Sequence, residues 1–209
     1  MRKNIKIAAS FLRFQYYPHL LLTLLLCLYA GFVVSFRNLT AGQSAKVIEM
    51  YVIFVGILLL TPLFMPEQDK EIWRLTQTKK TPMWQTYVIR LVIAVLLCMG
   101  IVAVFLSIIK GSNSQVEFTK MWLGGISEVI FLGSIGYVVS GITNQVVLGY
   151  MAAVMYYAVN IGAHDKFKAL GLFQMAAGTY DFTGWMLAAA GVLLVAAIVI
   201  REQRSRVRG

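Results

Sequence analysis

The chain has 209 residues, 59% of them hydrophobic and 13% charged, with a mean hydropathy of +0.73. Soluble domains carry about 25% charged residues, so this composition excludes an ordinary soluble domain and predicts an all-α membrane protein in one domain, residues 1–209. The formal charge of +10 does not point to nucleic acid, since no soluble basic domain exists to hold it; in a membrane protein, basic residues mark cytoplasmic loops and lipid headgroup contacts.

The first residues divide by helical spacing. Ile5, Ala9, Leu12 and Tyr16 share one face while Lys6, Ser10 and Arg13 share another, which predicts an interfacial helix over about 3–17 that enters the first span at Pro18. A disordered basic tail is the alternative. Basic flanks before an apolar run look superficially like a signal peptide, but no clean small-residue cleavage site follows, so the first span is expected to stay uncleaved.

A spanning helix needs about 20 apolar residues. Six segments qualify or nearly do: about 19–36, 47–65, 85–109, 122–140, 144–161 and 184–200. Placing both termini in the cytoplasm puts thirteen Lys and Arg inside, among them Lys70, Arg74, Lys79, Lys80 and Arg90, against six outside: Arg37, Lys46, Lys110, Lys120, Lys166 and Lys168. The positive-inside bias therefore predicts a multi-pass membrane protein with both ends cytoplasmic; the location expected for it is a bacterial cell membrane. Cys27 and Cys98 lie inside apolar runs without CxxC spacing or a nearby His, so they read as packing or lipid-facing residues and no metal site is expected. Asn38-Leu39-Thr40 fits an N-glycosylation triplet, close to the membrane, and Glu49 is expected to be solvated at the outer edge of span two.

The longest polar stretch, PEQDKEIWRLTQTKKTPMWQTYVIR, follows span two. Pro66 suits the first turn of a helix, Glu67, Asp69 and Glu71 crowd that turn, and Lys79 and Lys80 close the other end, an order that complements the helix dipole. Ile72, Trp73 and Leu75 form a small apolar patch, and Thr81-Pro82 reads as the cap and first position of span three. This predicts a short cytoplasmic helix over about 66–80; its Trp equally suits an ordinary interfacial helix anchored in lipid. Arg90, near the inner end of span three, is expected to snorkel to headgroups.

Glu128 falls about one-third of the way into span four, a costly position that suggests function. It would bind a cationic substrate group, pair across a dimer with a base such as Arg37 or Lys120, or make a structural hydrogen bond to a Ser or Thr of a neighbouring helix. Small residues through spans four and five, such as Gly133, Gly136 and Gly149, permit close helix approach. The GYMAAVMYY run of span five reads either as a cavity lining or as a packing stripe. Between spans five and six, GAHDKFKALGLFQMAAGTYDFTGW is too polar in its first half to cross, and its His164-Asp165 pair lacks a nucleophile.

The segment DKEIWRLTQTKKTPMWQTYVIRL resembles the stretch after the second span of ABC-2 type transporter permeases, the membrane subunits of ATP-binding cassette exporters. The resemblance implies an interfacial N-terminal helix, six spans, and a cytoplasmic coupling helix between spans two and three, with a short turn between spans four and five. An outer segment before span six would fold back as a gate. It implies that Asp69, Glu71, Ile72, Trp73 and Leu75 contact a separate ATPase subunit, and that two permease subunits, identical or related, form the pathway. This chain would then be no enzyme and hold no cofactor or metal. No GxxxxGK[ST] run occurs in it, so ATP and magnesium would belong to the partner. A substrate-binding membrane subunit of a vitamin-type importer is the alternative, marked by tight binding of a small molecule to the isolated chain. An intramembrane peptidase is disfavoured because the chain has neither GxSG nor HExxH.

Overall fold

The computed structural model describes residues 16–68, 83–167 and 170–207, and these are helical with short connections. In chain order they form α1 (Tyr17–Val33), α2 (Ala41–Gln68), α3 (Met83–Gly111), α4 (Phe118–Thr143), α5 (Val146–Phe167) and α6 (Thr183–Val207). Four of these are long and apolar enough to cross a membrane: α2, α3 from Trp84, α4, and α6 as far as Gln203. The apolar parts of α1 and α5, Tyr17–Val33 and Val146–Gly162, are shorter. The first fifteen residues and the stretch 69–82 lie outside the described residues, so the interfacial helix, the Thr81-Pro82 step and most of the predicted coupling helix do too. Tyr16 is described: it is buried and donates a 2.6 Å hydrogen bond to the Leu59 carbonyl of α2.

Helix α2 begins earlier than hydropathy predicts. Thr40 caps it, its hydroxyl accepting from the Gln43 amide while the Gln43 side chain accepts from the Thr40 amide. This reciprocal box satisfies two N–H groups that a helix start otherwise leaves open, and it sets Asn38-Leu39-Thr40 as a cap rather than a free triplet. The rod then changes pitch twice. Ile48–Val52 widens to a π-turn, closed by the Ile53 N–H on the Ile48 carbonyl at 3.0 Å. Thr61–Gln68 tightens to 3-10 geometry around Pro62 and Pro66, residues that cannot donate to an α-helical ladder. Pro66, Glu67 and Gln68 thus continue α2 in 3-10 geometry, and the rest of the predicted 66–80 helix lies outside the described residues.

Helix α4 is the axis of the bundle, packed against α2, α3, α5 and α6. Its glycines let backbones meet. A Cβ on Gly56 of α2 would lie 1.8 Å from the Val129 carbonyl oxygen, and one on Gly149 of α5 would lie 2.5 Å from the Gly136 oxygen. Outward faces carry the apolar residues that lipid would cover, such as Phe32, Met155 and Val192. Helix α5 runs on to Phe167, so the GAHDKF part of the predicted outer segment is helical, and only residues 170–182 form the described fold-back.

Candidate functional site

Two groups of polar side chains are buried at opposite ends of α2. At the Gln68 end, Arg90 of α3 points inward and its Nη1 donates to Glu67 Oε1 at 2.6 Å and to the Leu63 carbonyl at 3.3 Å. The two side chains are only 10% and 1% exposed, so Arg90 does not snorkel and Glu67 is not on a solvated helix turn. An Arg seven positions into α3, about 10 Å from its start, is too deep to reach water easily, and pairing removes the cost of an isolated buried charge. Arg201 of α6 enters the same group. It donates to the Glu67 carbonyl at 3.3 Å and to the Asn144 side-chain oxygen, and its guanidinium lies 5.6 Å from the Phe64 ring centroid. Asn144 can be there because it ends α4 in the left-handed conformation (φ 59°), its N–H closing on the Ser140 carbonyl at 3.0 Å. Phe64 stacks on Tyr137 at 4.3 Å and meets Tyr87 edge-on at 5.2 Å, sealing the group from above. Four helices, α2, α3, α4 and α6, are thus clamped where the chain leaves for residues 69–82.

At the other end the carboxylate of Glu49 sits in the π-turn and is fully buried, contrary to the solvated position expected from sequence. It accepts the Met175 N–H at 2.7 Å and the Ala176 N–H at 3.2 Å, and so latches the fold-back segment onto α2. Asn160 of α5 holds the same segment from the side, its Oδ1 accepting the Leu172 N–H at 3.0 Å. The strained left-handed Phe173 (φ 70°) turns the chain between these two anchors, and Met175 lies over Gly124 of α4, where no larger residue would leave it room.

Glu128 lies beneath this segment on α4, fully buried. Neither of its oxygens has a hydrogen-bond partner in normal geometry, although the Phe173 amide lies close. Within one chain neither Arg37 nor Lys120 pairs with it; the expected pairing runs across a dimer. Lys120 bonds Glu117 at 2.7 Å on the surface, and Arg37 is exposed in the α1–α2 connection. Among the described residues the charged group that acts on Glu128 is instead another acid, Glu49. Beside them a cavity of about 390 Å³ is lined by Glu49, Tyr157, Asn160, Phe173 and Ala176, with Lys46 and Met50 at its edge. Of the GYMAAVMYY run, Tyr157 lines this cavity while Met151 and Met155 face outward.

Among the described residues, no three His, Cys, Asp or Glu side chains gather as a metal site. The predicted contacts Asp69, Glu71, Ile72, Trp73 and Leu75 lie outside the described residues, next to the clamp in sequence. The clamp itself was missed by sequence reading, which sent Glu67 to a helix dipole and Arg90 to headgroups. The architecture is that of an all-helical protein with four helices fit to cross a membrane, compatible with a multi-pass membrane protein. No family model, curated protein or solved structure matches the chain.

Proposed function

We propose that the chain is the permease subunit of an ABC-2 type exporter, crossing the cell membrane six times with both termini in the cytoplasm. It works as a dimer with a second permease subunit, and a separate ATP-binding cassette subunit hydrolyses ATP with magnesium. The observation that carries this reading is the Glu67–Arg90–Arg201 clamp. Residues 66–80 are the proposed coupling element, and the clamp sits at its root. A push delivered there by the ATPase enters α2, α3, α4 and α6 together instead of bending one helix end. Coupling requires contacts that differ between two states of the motor, and a rigid root converts such a difference into movement of whole helices.

The buried latch at Glu49 supports the same reading at the outer end, where a fold-back segment held by three N–H groups would act as the gate. The test is the triple substitution Glu71→Ala, Trp73→Ala and Leu75→Ala in the chain assembled with its ATPase partner. Substrate-stimulated ATP hydrolysis is expected to be lost while membrane insertion is retained. Unaltered stimulation rejects the coupling role, and failure of any ATPase to co-isolate with the wild-type chain rejects the class.

A further inference from the structure

Helices α1 and α3 both pack on α2 and leave a furrow of about 710 Å³ between them. Leu24, Leu28 and Phe32 of α1 form one wall, Ile101, Val104 and Ile108 of α3 the other, and none of the described residues lining it is charged. Gly100 lines it too, with nothing within 4 Å of the place a Cβ would take, so the space is open down to the α3 backbone. From Leu96 to Ile108 the furrow follows α3 for about 18 Å at helical rise. That is close to the depth of one leaflet, half of a hydrocarbon core about 30 Å thick.

The connection that follows α1 fixes the mouth of the furrow. Phe36 lines it, meets Phe105 of α3 edge-on at 5.4 Å and folds back until its ring lies 3.3 Å from where a Cβ on Gly31 would be. The Ser114 hydroxyl donates to the Phe36 carbonyl at 2.5 Å and accepts from the Leu39 amide at 3.0 Å, so the backbone on both sides of Arg37 is held. Arg37 therefore stands one residue past the apolar lining, exposed and, among the described residues, without an ion pair. The acid of the facing connection, Glu117, is taken by Lys120 at 2.7 Å. An apolar furrow of leaflet depth that ends at an unpaired guanidinium complements a hydrocarbon chain carrying a phosphate.

We propose that this furrow seats one acyl chain of an anionic phospholipid, with its phosphate held by Arg37. A second copy of the chain fits less well. Thirteen described residues line the furrow, against about 20–30 a side in a stable interface. A copy inserted the same way round would also bring its own Arg37 against the first. The proposal requires only that the chain lies in a membrane, so its failure and the failure of the exporter reading are separate results.

The test uses the purified full chain in detergent micelles, titrated with dioleoylphosphatidylglycerol and read as retained lipid by native mass spectrometry. Dioleoylphosphatidylcholine is the zwitterionic control. Wild type is expected to hold one phosphatidylglycerol at least tenfold more tightly than phosphatidylcholine. Gly100→Phe, which fills the open space, is expected to weaken both at least tenfold. Arg37→Gln is expected to bring the two lipids within about twofold of each other. Lys110→Gln controls for general charge attraction: Lys110 is exposed at the same end of α3 but about 200° round the helix from Ile108. Its loss is expected to leave the preference intact. Circular dichroism melts show which variants are folded, and if Gly100→Phe is not, the Arg37 and Lys110 variants decide the matter. The proposal is overturned if wild type holds both lipids equally, if a folded Gly100→Phe retains phosphatidylglycerol unchanged, if Arg37→Gln keeps the preference, or if Lys110→Gln loses it equally. A wild-type dimer that Gly100→Phe converts to monomer gives the furrow to a second copy and overturns it as well.

Discussion

Removing Glu67 should damage the protein more than removing Arg90, and the reason lies in the count of charges at the clamp. Glu67 serves two guanidinium groups, that of Arg90 through its carboxylate at 2.6 Å and that of Arg201 through its backbone carbonyl at 3.3 Å, with the carboxylate charge also acting on Arg201. Breaking a buried pair by deleting one partner costs about 3–5 kcal/mol, because the surviving charge is stranded. In Glu67→Gln, Arg90 loses its 2.6 Å carboxylate partner and Arg201 loses a nearby negative charge, which places the loss at the upper end, about 4–5 kcal/mol. In Arg90→Met, Glu67 keeps Arg201 nearby and Met fills most of the volume, so about 2–3 kcal/mol is expected. The double variant removes both sides of the 2.6 Å pair and should be less destabilised than the two single losses summed, giving a coupling of about 2 kcal/mol. Reversible unfolding in mixed micelles, followed by Trp fluorescence, measures all four proteins. Equal losses for the two single variants would refute the asymmetry, and a coupling under about 0.5 kcal/mol would refute the clamp as an energetic unit.

Three further outcomes are expected. Gly56→Ala forces a methyl to within 1.8 Å of a backbone oxygen on α4 and should lose about 3 kcal/mol or more, or fail to assemble, whereas Gly162→Ala, with open space around it, should be neutral or gain up to about 1 kcal/mol; thermal melts in detergent separate them. Glu49→Ala removes the acceptor of the Met175 and Ala176 amides, worth about 1.5–3 kcal/mol for charged hydrogen bonds, so those two amides should exchange at least tenfold faster while α4 amides remain slow. Thr40→Ala should lose about 1 kcal/mol through the missing cap, and Thr40→Ser should restore most of it.

The helices among the described residues were legible because apolar length is the quantity that hydropathy measures, though only four are long and apolar enough to cross a membrane. Their ends were not, because ends are decided by single hydrogen bonds. The span over 47–65 starts at Ala41 in the structure, and the signal was present as Thr40-x-x-Gln43, a capping box that hydropathy averages away. Once the helix starts there, Glu49 stands two turns inside it, which explains why it is buried. Pro66 was read as a helix start since proline favours that position; as far as Gln68 it lies in a 3-10 segment continuous with α2, and the rest of that predicted helix lies outside the described residues. Glu128 was legible as an anomaly of sequence. Its surroundings were not, because the acid beside it comes from a helix nearly eighty positions away in the chain.

Both buried acids of α2 lie on one rod, and this bears on how the two ends communicate. Glu49 and Glu67 are eighteen positions apart, roughly 27 Å at α-helical rise, which is close to the thickness of a bilayer core. Between them the rod is packed backbone to backbone on α4 at Gly56, so it cannot bow away from its neighbour under load. Its compliance is confined to the two places where the pitch departs from α, the π-turn that carries Glu49 and the 3-10 end that carries Glu67. Interconversion of π, α and 3-10 turns changes length and rotates side chains without breaking the helix. A displacement applied at the clamp would therefore be taken up at the π-turn, where a small rotation of Glu49 is enough to misalign its bonds to Met175 and Ala176. A helix of uniform pitch would move both ends alike and leave that latch closed.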